Sequence, residues 1–429
     1  MNKSREGFNM KKVFVVTLCA FLFVMKSQQL YAQMGVSNAR SLSMGGAYLA
    51  VANGAEAPRW NPANLGLHDR PNFSMNLISF GAAFSNNSFS KNDYDLYNGA
   101  FLTPQMKSDI LNKIPDEGLR FDVDSEIDAL AFSWKNFALA ISAESSAKMN
   151  LSRTFVDVAL NGNQLDKVYD FSDSGGEAFA VSTIGLSYGR ALYVPMFRDF
   201  AVGATFKYVI GLGHAEVIDA YGVMGTTYDG AYGDARAKVR HAAGGRGIAA
   251  DFGAAAIVSD ELTIGLTIRN LISSVKWNKE VKIQEYGVTA DSLTVDSIDE
   301  FSADSLIDDY DRELDGDSFS KSLPAELRLG GAYRSGKVLL SADYVQGFKN
   351  RPGVSTKPQL ALGAEFRLIG FLPLRAGIAL GGSHGASSGA GFGLRIGTFE
   401  MNFAAGSWGA ILPKSAGGIG VGFGIRISI

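Results

Sequence analysis

The sequence predicts an all-β fold: a transmembrane antiparallel β-barrel of about 14 strands with a small N-terminal helical hatch in its lumen. Three observations carry this. Short segments along the chain alternate apolar and polar residues with period two, the period at which strand side chains change faces. The connections between these segments alternate between long and short, as in outer-membrane barrels. The chain holds 50 glycines and 46% apolar residues, yet after residue 32 no apolar run reaches the length of a membrane helix.

The chain opens with a leader. Lys11 and Lys12 precede the apolar run Val13 to Met25, and small-residue Ala32 closes the segment, the layout of a secretory signal peptide over residues 1–32. The run is too short to span a bilayer as a helix. Cys19, the sole cysteine, lies inside it, so the mature chain is expected to carry neither disulfides nor thiolate metal sites. The leader contains five basic residues and one acidic residue out of totals of 40 and 43, which leaves the rest of the chain at −7. Nucleic-acid binding thereby loses its electrostatic basis.

Residues 72–429 read as the barrel. Strands are expected near 73–84, 127–134, 136–145, 178–190, 199–212, 247–258, 262–273, 323–334, 337–348, 359–369, 373–382, 390–397, 399–408 and 418–429. In the fifth, Phe200, Val202, Ala204, Phe206, Tyr208, Ile210 and Leu212 form one apolar face, opposite Ala201, Gly203, Thr205, Lys207, Val209 and Gly211. Leu262 to Ile268 and Leu360 to Leu368 split the same way. The last strand alternates to the final residue, Ile429, where an outer-membrane assembly signal would usually carry an aromatic. Further strands could lie in the longest loops, which would make sixteen.

This parity turns many glycines inward, among them Gly203, Gly253, Gly265, Gly330, Gly363, Gly377, Gly391, Gly393, Gly420, Gly422 and Gly424. It also turns charges inward: Lys207, Asp251, Arg269, Glu326, Arg328, Asp343, Glu365, Arg367, Arg375, Arg395 and Glu400. Glycine weakens a strand unless something approaches closely or the sheet must bend. Either a body lies against the inner wall, or the glycines relieve curvature.

Residues 33–71 supply the candidate body. Their stretch "NARSLSMGGAYLAVANGAEAPRWNPANLGL" is Ala-rich and broken by Gly45-Gly46, with Trp60 and Asn61-Pro62-Ala63 near its end, suited to short helices and turns. It resembles the N-terminal hatch of the long-chain fatty-acid transporter (FadL) superfamily, whose plug carries an Asn-Pro-Ala motif ahead of a fourteen-stranded barrel. The segments "SLPAELRLGGAYR", "ADYVQGF", "LGAEFRL" and "LPLRAGIALGG" resemble an uncharacterised FadL-like branch related to the PorV and PorQ proteins of type IX secretion. The resemblance implies a channel for small hydrophobic compounds gated by its hatch, or alternatively a PorV-like scaffold for secretion or surface attachment of exported proteins. On this reading Asn61, Pro62 and Ala63 shape the hatch turn, and lumenal charges such as Arg367 and Arg395 anchor it.

Enzyme motifs are poorly supported. Gly381 to Gly385 fits Gly-x-Ser-x-Gly, but that elbow needs a helix after it, and a strand is expected here. His68, His214, His241 and His384 are scattered without metal-ligand spacing, so no metal site and no cofactor are expected. Residues 280–317 hold thirteen acidic side chains, and Asp311 to Ser318 loosely fits a calcium loop, but Ser322 stands where its last ligand belongs. A solvated acidic outer loop is the simpler reading. The expected surroundings are the outer membrane with its lipid and lipopolysaccharide, the barrel assembly machinery, and a hydrophobic ligand or a secreted protein partner.

Overall fold

The computed structural model describes residues 38–293 and 307–429. The leader and the middle of the acidic segment therefore lie outside the described residues. The described chain forms a closed antiparallel barrel of fourteen strands. In chain order the strands are β1 (Phe73–Asn86), β2 (Leu119–Trp134), β3 (Phe137–Leu151), β4 (Val168–Asp170), β5 (Gly175–Ala191), β6 (Asp199–Thr227), β7 (Gly230–Ala242), β8 (Gly244–Ile257), β9 (Leu262–Lys279), β10 (Lys282–Leu293), β11 (Ile307–Asp315), β12 (Phe319–Lys321), β13 (Glu326–Ser335), β14 (Val338–Gly347), β15 (Gln359–Ile369), β16 (Leu372–Gly381), β17 (Gly385–Ile396), β18 (Phe399–Trp408) and β19 (Gly418–Ser428). All but β4, β7, β10, β11 and β12 build the wall, and β1 closes it by pairing with both β2 and β19.

Closure satisfies the hydrogen bonds of every wall strand from its neighbours, which a wall in lipid requires. The period-two parity appears as alternating exposure. Phe206, Leu266, Leu362 and Phe366 are exposed on the outer surface, while Thr205, Thr267, Ala361 and Glu365 between them are buried in the lumen. All fourteen strands expected from the sequence are wall strands; several run further than the alternation alone indicates. The extra strands do exist in the loops, but they stand beyond the wall rather than adding to it.

The short connections lie at one rim. Lys135 and Gly336 turn there with φ of 51° and 56°, and the segment leading from residue 67 into β1 arrives at the same rim. At the opposite rim the chain makes long excursions. The longest strand, β6, spans 29 residues, roughly 95 Å of extended chain. Its first part pairs with β5 and β8 in the wall. After a bulge between Val217 and Asp219 it continues with β4 and β7 into a sheet extended by β10 and β11. At its β11 edge, Asp309, Asp311, Glu313 and Asp315 share one face, and Asp308 and Arg312 share the other with Tyr310 and Leu314.

Candidate functional site: the hatch and its glycine track

Residues 38–67 fill the lumen as short helical pieces. Asn38 caps the helix Ala39–Ser43, its Oδ1 accepting from the Arg40 and Ser41 amides. Gly45 and Gly46, both at positive φ, then turn the chain, and Gly45 lies directly on the Ile378 backbone of β16. The helix Ala57–Trp60 ends at Asn61. There Pro62 starts a 3-10 turn over Pro62–Gly66, with its fixed φ suited to a first helical position. Asn61 Oδ1 accepts from the Ala63 amide at 3.0 Å, and its Nδ2 donates to the Ala254 carbonyl of β8 at 2.9 Å. One fully buried side chain thus caps the turn and ties it to the wall. Asn64 Nδ2 donates to the Leu49 and Ala52 carbonyls, folding the hatch onto itself.

The wall meets this segment along a track of glycines. Gly189, Gly203 and Gly253 are directly paired across β5, β6 and β8. Gly265 pairs with Gly330 across β9 and β13, and Gly363, Gly377, Gly389, Gly406 and Gly420 are paired in succession from β15 to β19. The hatch follows this track in order. A side chain would strike Leu42 at Gly389 and Gly406, Met44 at Gly363 and Gly377, Leu49 at Gly330, Asn61 at Gly253 and Gly265, and Pro62 at Gly203 and Gly189. Of the two accounts of the inward glycines, close approach of a body holds for these. Gly393, Gly420 and Gly424 instead face wall side chains. Gly189, Gly389 and Gly406 are not among the inward glycines named from the sequence, although Gly406 shares the parity of Glu400, and Gly389 that of Gly391 just before the expected start of its strand.

Where β14 interrupts the glycines, polar side chains take over. Asp343 Oδ2 accepts from the Tyr48 and Leu49 amides, both at 2.8 Å, and Ser341 Oγ donates to the Ala47 carbonyl. Trp60 packs edge-on against Tyr48, and Arg328 lies over its ring at 4.7 Å.

Charges hold the seat at two further places. Glu56 of the hatch accepts from Asn38, Arg40, Tyr48 and, at 2.6 Å, from Arg426 of β19. Arg40 lies 3.7 Å from Glu365 and 3.9 Å from Glu400. Arg59 pairs with Glu126 and Asp128 of β2 and with Glu144 of β3. Strand parity and motif do not single out Arg40, Glu56 or Arg59; Arg426 shares the inward parity of Gly420, Gly422 and Gly424, but nothing in the sequence marks it as a partner of the hatch.

Apart from Asp343, which holds hatch amides, the inward charges named from parity form wall pairs. Lys207 bonds Asp251; Arg269 and Arg328 both bond Glu326; Arg375 bridges Glu365 and Glu400. Arg367 and Arg395, expected to anchor the hatch, do so only indirectly. They sit near the short-turn rim and hold Glu365 and Glu400, the carboxylates that face Arg40.

Among the described residues, one group could present metal ligands: Glu177, His214 and Glu216, with ligand atoms within 4.8 Å of one another. Their carboxylates already hold Arg351, Lys321 and Arg240, so a cation would have to displace side chains of its own sign. The Gly381–Gly385 motif is a hairpin turn leading into β17. His384 Nδ1 lies 3.5 Å from Ser85, and the Ser383 carbonyl accepts from Arg120. No strand-to-helix elbow forms there.

The profile of a family of unknown function, DUF5723, matches residues 62–240 and 222–406. The chain belongs to this family. No curated protein matches it. Among solved structures, this DUF5723 member is similar to the toluene transporter TbuX of Ralstonia pickettii, at 14% identity and a TM-score of 0.51, covering 91% of this chain and 98% of that one. It is also similar to the toluene transporter TodX of P. putida, at 11% identity and 0.52, covering 94% and 99%. At such identities the likeness is one of fold: the barrel is FadL-like, as the resemblance implied.

Proposed function

We propose that this protein is an outer-membrane channel for a small hydrophobic compound, gated by movement of residues 38–67. The observation that carries this is the seat of the hatch. This segment lies backbone-on-backbone along glycines, held by ion pairs and hydrogen bonds at separate points, and its apolar contacts with the wall fall in separate small clusters: Leu42 with Ala83 and Trp408, Met44, Tyr48 and Trp60 with Ala332 and Leu339, and Leu67 with Ile257. Such contacts can be exchanged for others without opening a continuous apolar core. The likeness to two toluene transporters agrees with the reading.

A second reading rests on a different observation. The sheet formed by β4, outer β6, β7, β10 and β11 projects beyond the long-loop rim, a surface that a scaffold for exported proteins could use. The two readings separate in a deletion strain assayed for uptake of labelled toluene and for its secreted proteins. Channel function predicts a severalfold fall in uptake with an unchanged secretome. The reverse pattern supports the scaffold and refutes the channel.

A further inference from the structure

The hatch accounts for closure from the short-turn rim, but the opposite end of the lumen is filled by residues that never touch it. Phe179 and Val181 of β5, Val209 of β6, Ala249 of β8, Val275 and Trp277 of β9 and Leu323 pack together there, all buried, and no residue of 38–67 joins them. Trp277 lies against Gly211 and Gly245, where a side chain would collide with its ring or its strand. The space left beside Phe179, His214, Trp277 and Leu323 is about 10 Å³, room for about one water.

Above this cluster the 348–358 turn crosses the mouth. It joins β14 to β15, five strands round the wall from β5. Its tip is tightened by the paired hydrogen bonds between Arg351 and Val354, and its base by the Gly347 amide donating to Ser355. From that tip Arg351 reaches β5 and grips Glu177 with two nitrogens, at 2.6 and 2.8 Å, while donating to the Ser322 carbonyl. A forked guanidinium–carboxylate pair is directional as well as attractive, so it fixes where the turn lies.

We propose that the barrel is shut a second time at its long-loop end, by this apolar plug and an Arg351–Glu177 latch that holds the 348–358 turn over it. The latch works independently of the hatch, so displacing the hatch leaves the lumen closed from outside. Whatever crosses the barrel must pass both closures, and the outer one begins to open when a half-buried ion pair breaks and frees the turn over the plug. The outer closure acts alike on any compound that is transported.

The test uses the full chain with A249C as a reporter, since the mature sequence is expected to contain no thiol. Ala249 is small, faces the lumen and is 1% exposed in the plug. With the latch intact, a membrane-impermeant maleimide added to whole cells should label it slowly. In A249C/R351A the rate should rise at least about tenfold, and A249C/E177Q, which weakens the same pair from the other side, should rise too. Assembly is checked in each by heat-modifiable migration. Should either variant fail to assemble, the other decides. An assembled latch variant that labels no faster than A249C alone overturns the proposal, as does rapid labelling with the latch intact.

Discussion

At the scale of single residues, the hatch is held by a few side chains that each satisfy several backbone groups. Asp343 is the clearest, since removing its carboxylate leaves the Tyr48 and Leu49 amides buried without partners. An orphaned buried donor costs about 1–3 kcal/mol. D343A should therefore raise hydrogen exchange at these two amides by roughly 5- to 150-fold, while the barrel keeps its heat-modifiable migration. Unchanged exchange would mean that the glycine track alone seats the hatch. Much of the site is legible in the sequence at this scale, and the limit is physical. Asn61-Pro62-Ala63 is readable because a cap and a proline at the first helical position act locally. The Glu56–Arg426 pair joins residues 370 positions apart, and nothing local in either side chain identifies the other.

At the scale of elements, parity is legible because lipid on one side and a packed lumen on the other impose period two along every wall strand. Phe206 is 55% exposed on the outer face of β6, where a charge would meet lipid. F206R should destabilise the folded barrel in vesicles by about 2–4 kcal/mol if the site is near mid-membrane. A denaturant titration showing no loss would place β6 outside the bilayer. The strands β7, β10 and β11, in the region beyond the wall, are harder to read: β7 alternates, with Tyr232, Asp234 and Arg236 more exposed than Ala231, Gly233, Ala235 and Ala237, but its less exposed face is made of small residues and carries no strong apolar signal. The helices of the loop after β1 lie in the same region. Ser90 and Asp93 form a capping box for the helix Lys91–Tyr97, and Lys113 of the next helix, Pro104–Lys113, pairs with Asp93 at 3.0 Å. Partial burial pushes the Asp93 carboxyl upward, but hydrogen bonds from the Ser90 amide and hydroxyl and from Lys113 outweigh it and hold the group below its usual range. A depressed carboxyl contributes stability in full above its unfolded value of about 3.9, and loses it as pH falls through the folded one. Amide protection across 91–97, measured against barrel amides, should hold from pH 7 to 5, decline below about pH 4, and lose that dependence in D93N. Retention of the acid response in D93N would assign it to another group.

At the scale of the molecule, the wall and its contents divide the work. Fourteen strands supply their own hydrogen bonds and need no plug to close the sheet. The lumen can therefore be given over to segments that leave without unfolding the barrel. The sequence indicates the barrel and the hatch as separate parts, through the alternating strands and the glycine-broken stretch before them. It does not indicate that the hatch follows the wall's glycines in order from Gly406 to Gly189, because that path exists only once the strands are in register. The central claim is that this seated hatch moves when the barrel works. Ala47 of the hatch packs against Ala361 of β15, so A47C/A361C can fasten the two. In cells expressing this pair as the sole copy, oxidation should stop accumulation of labelled toluene, and a reductant should restore it, with neither single cysteine responding. Equal uptake with the disulfide formed and reduced would contradict a moving hatch.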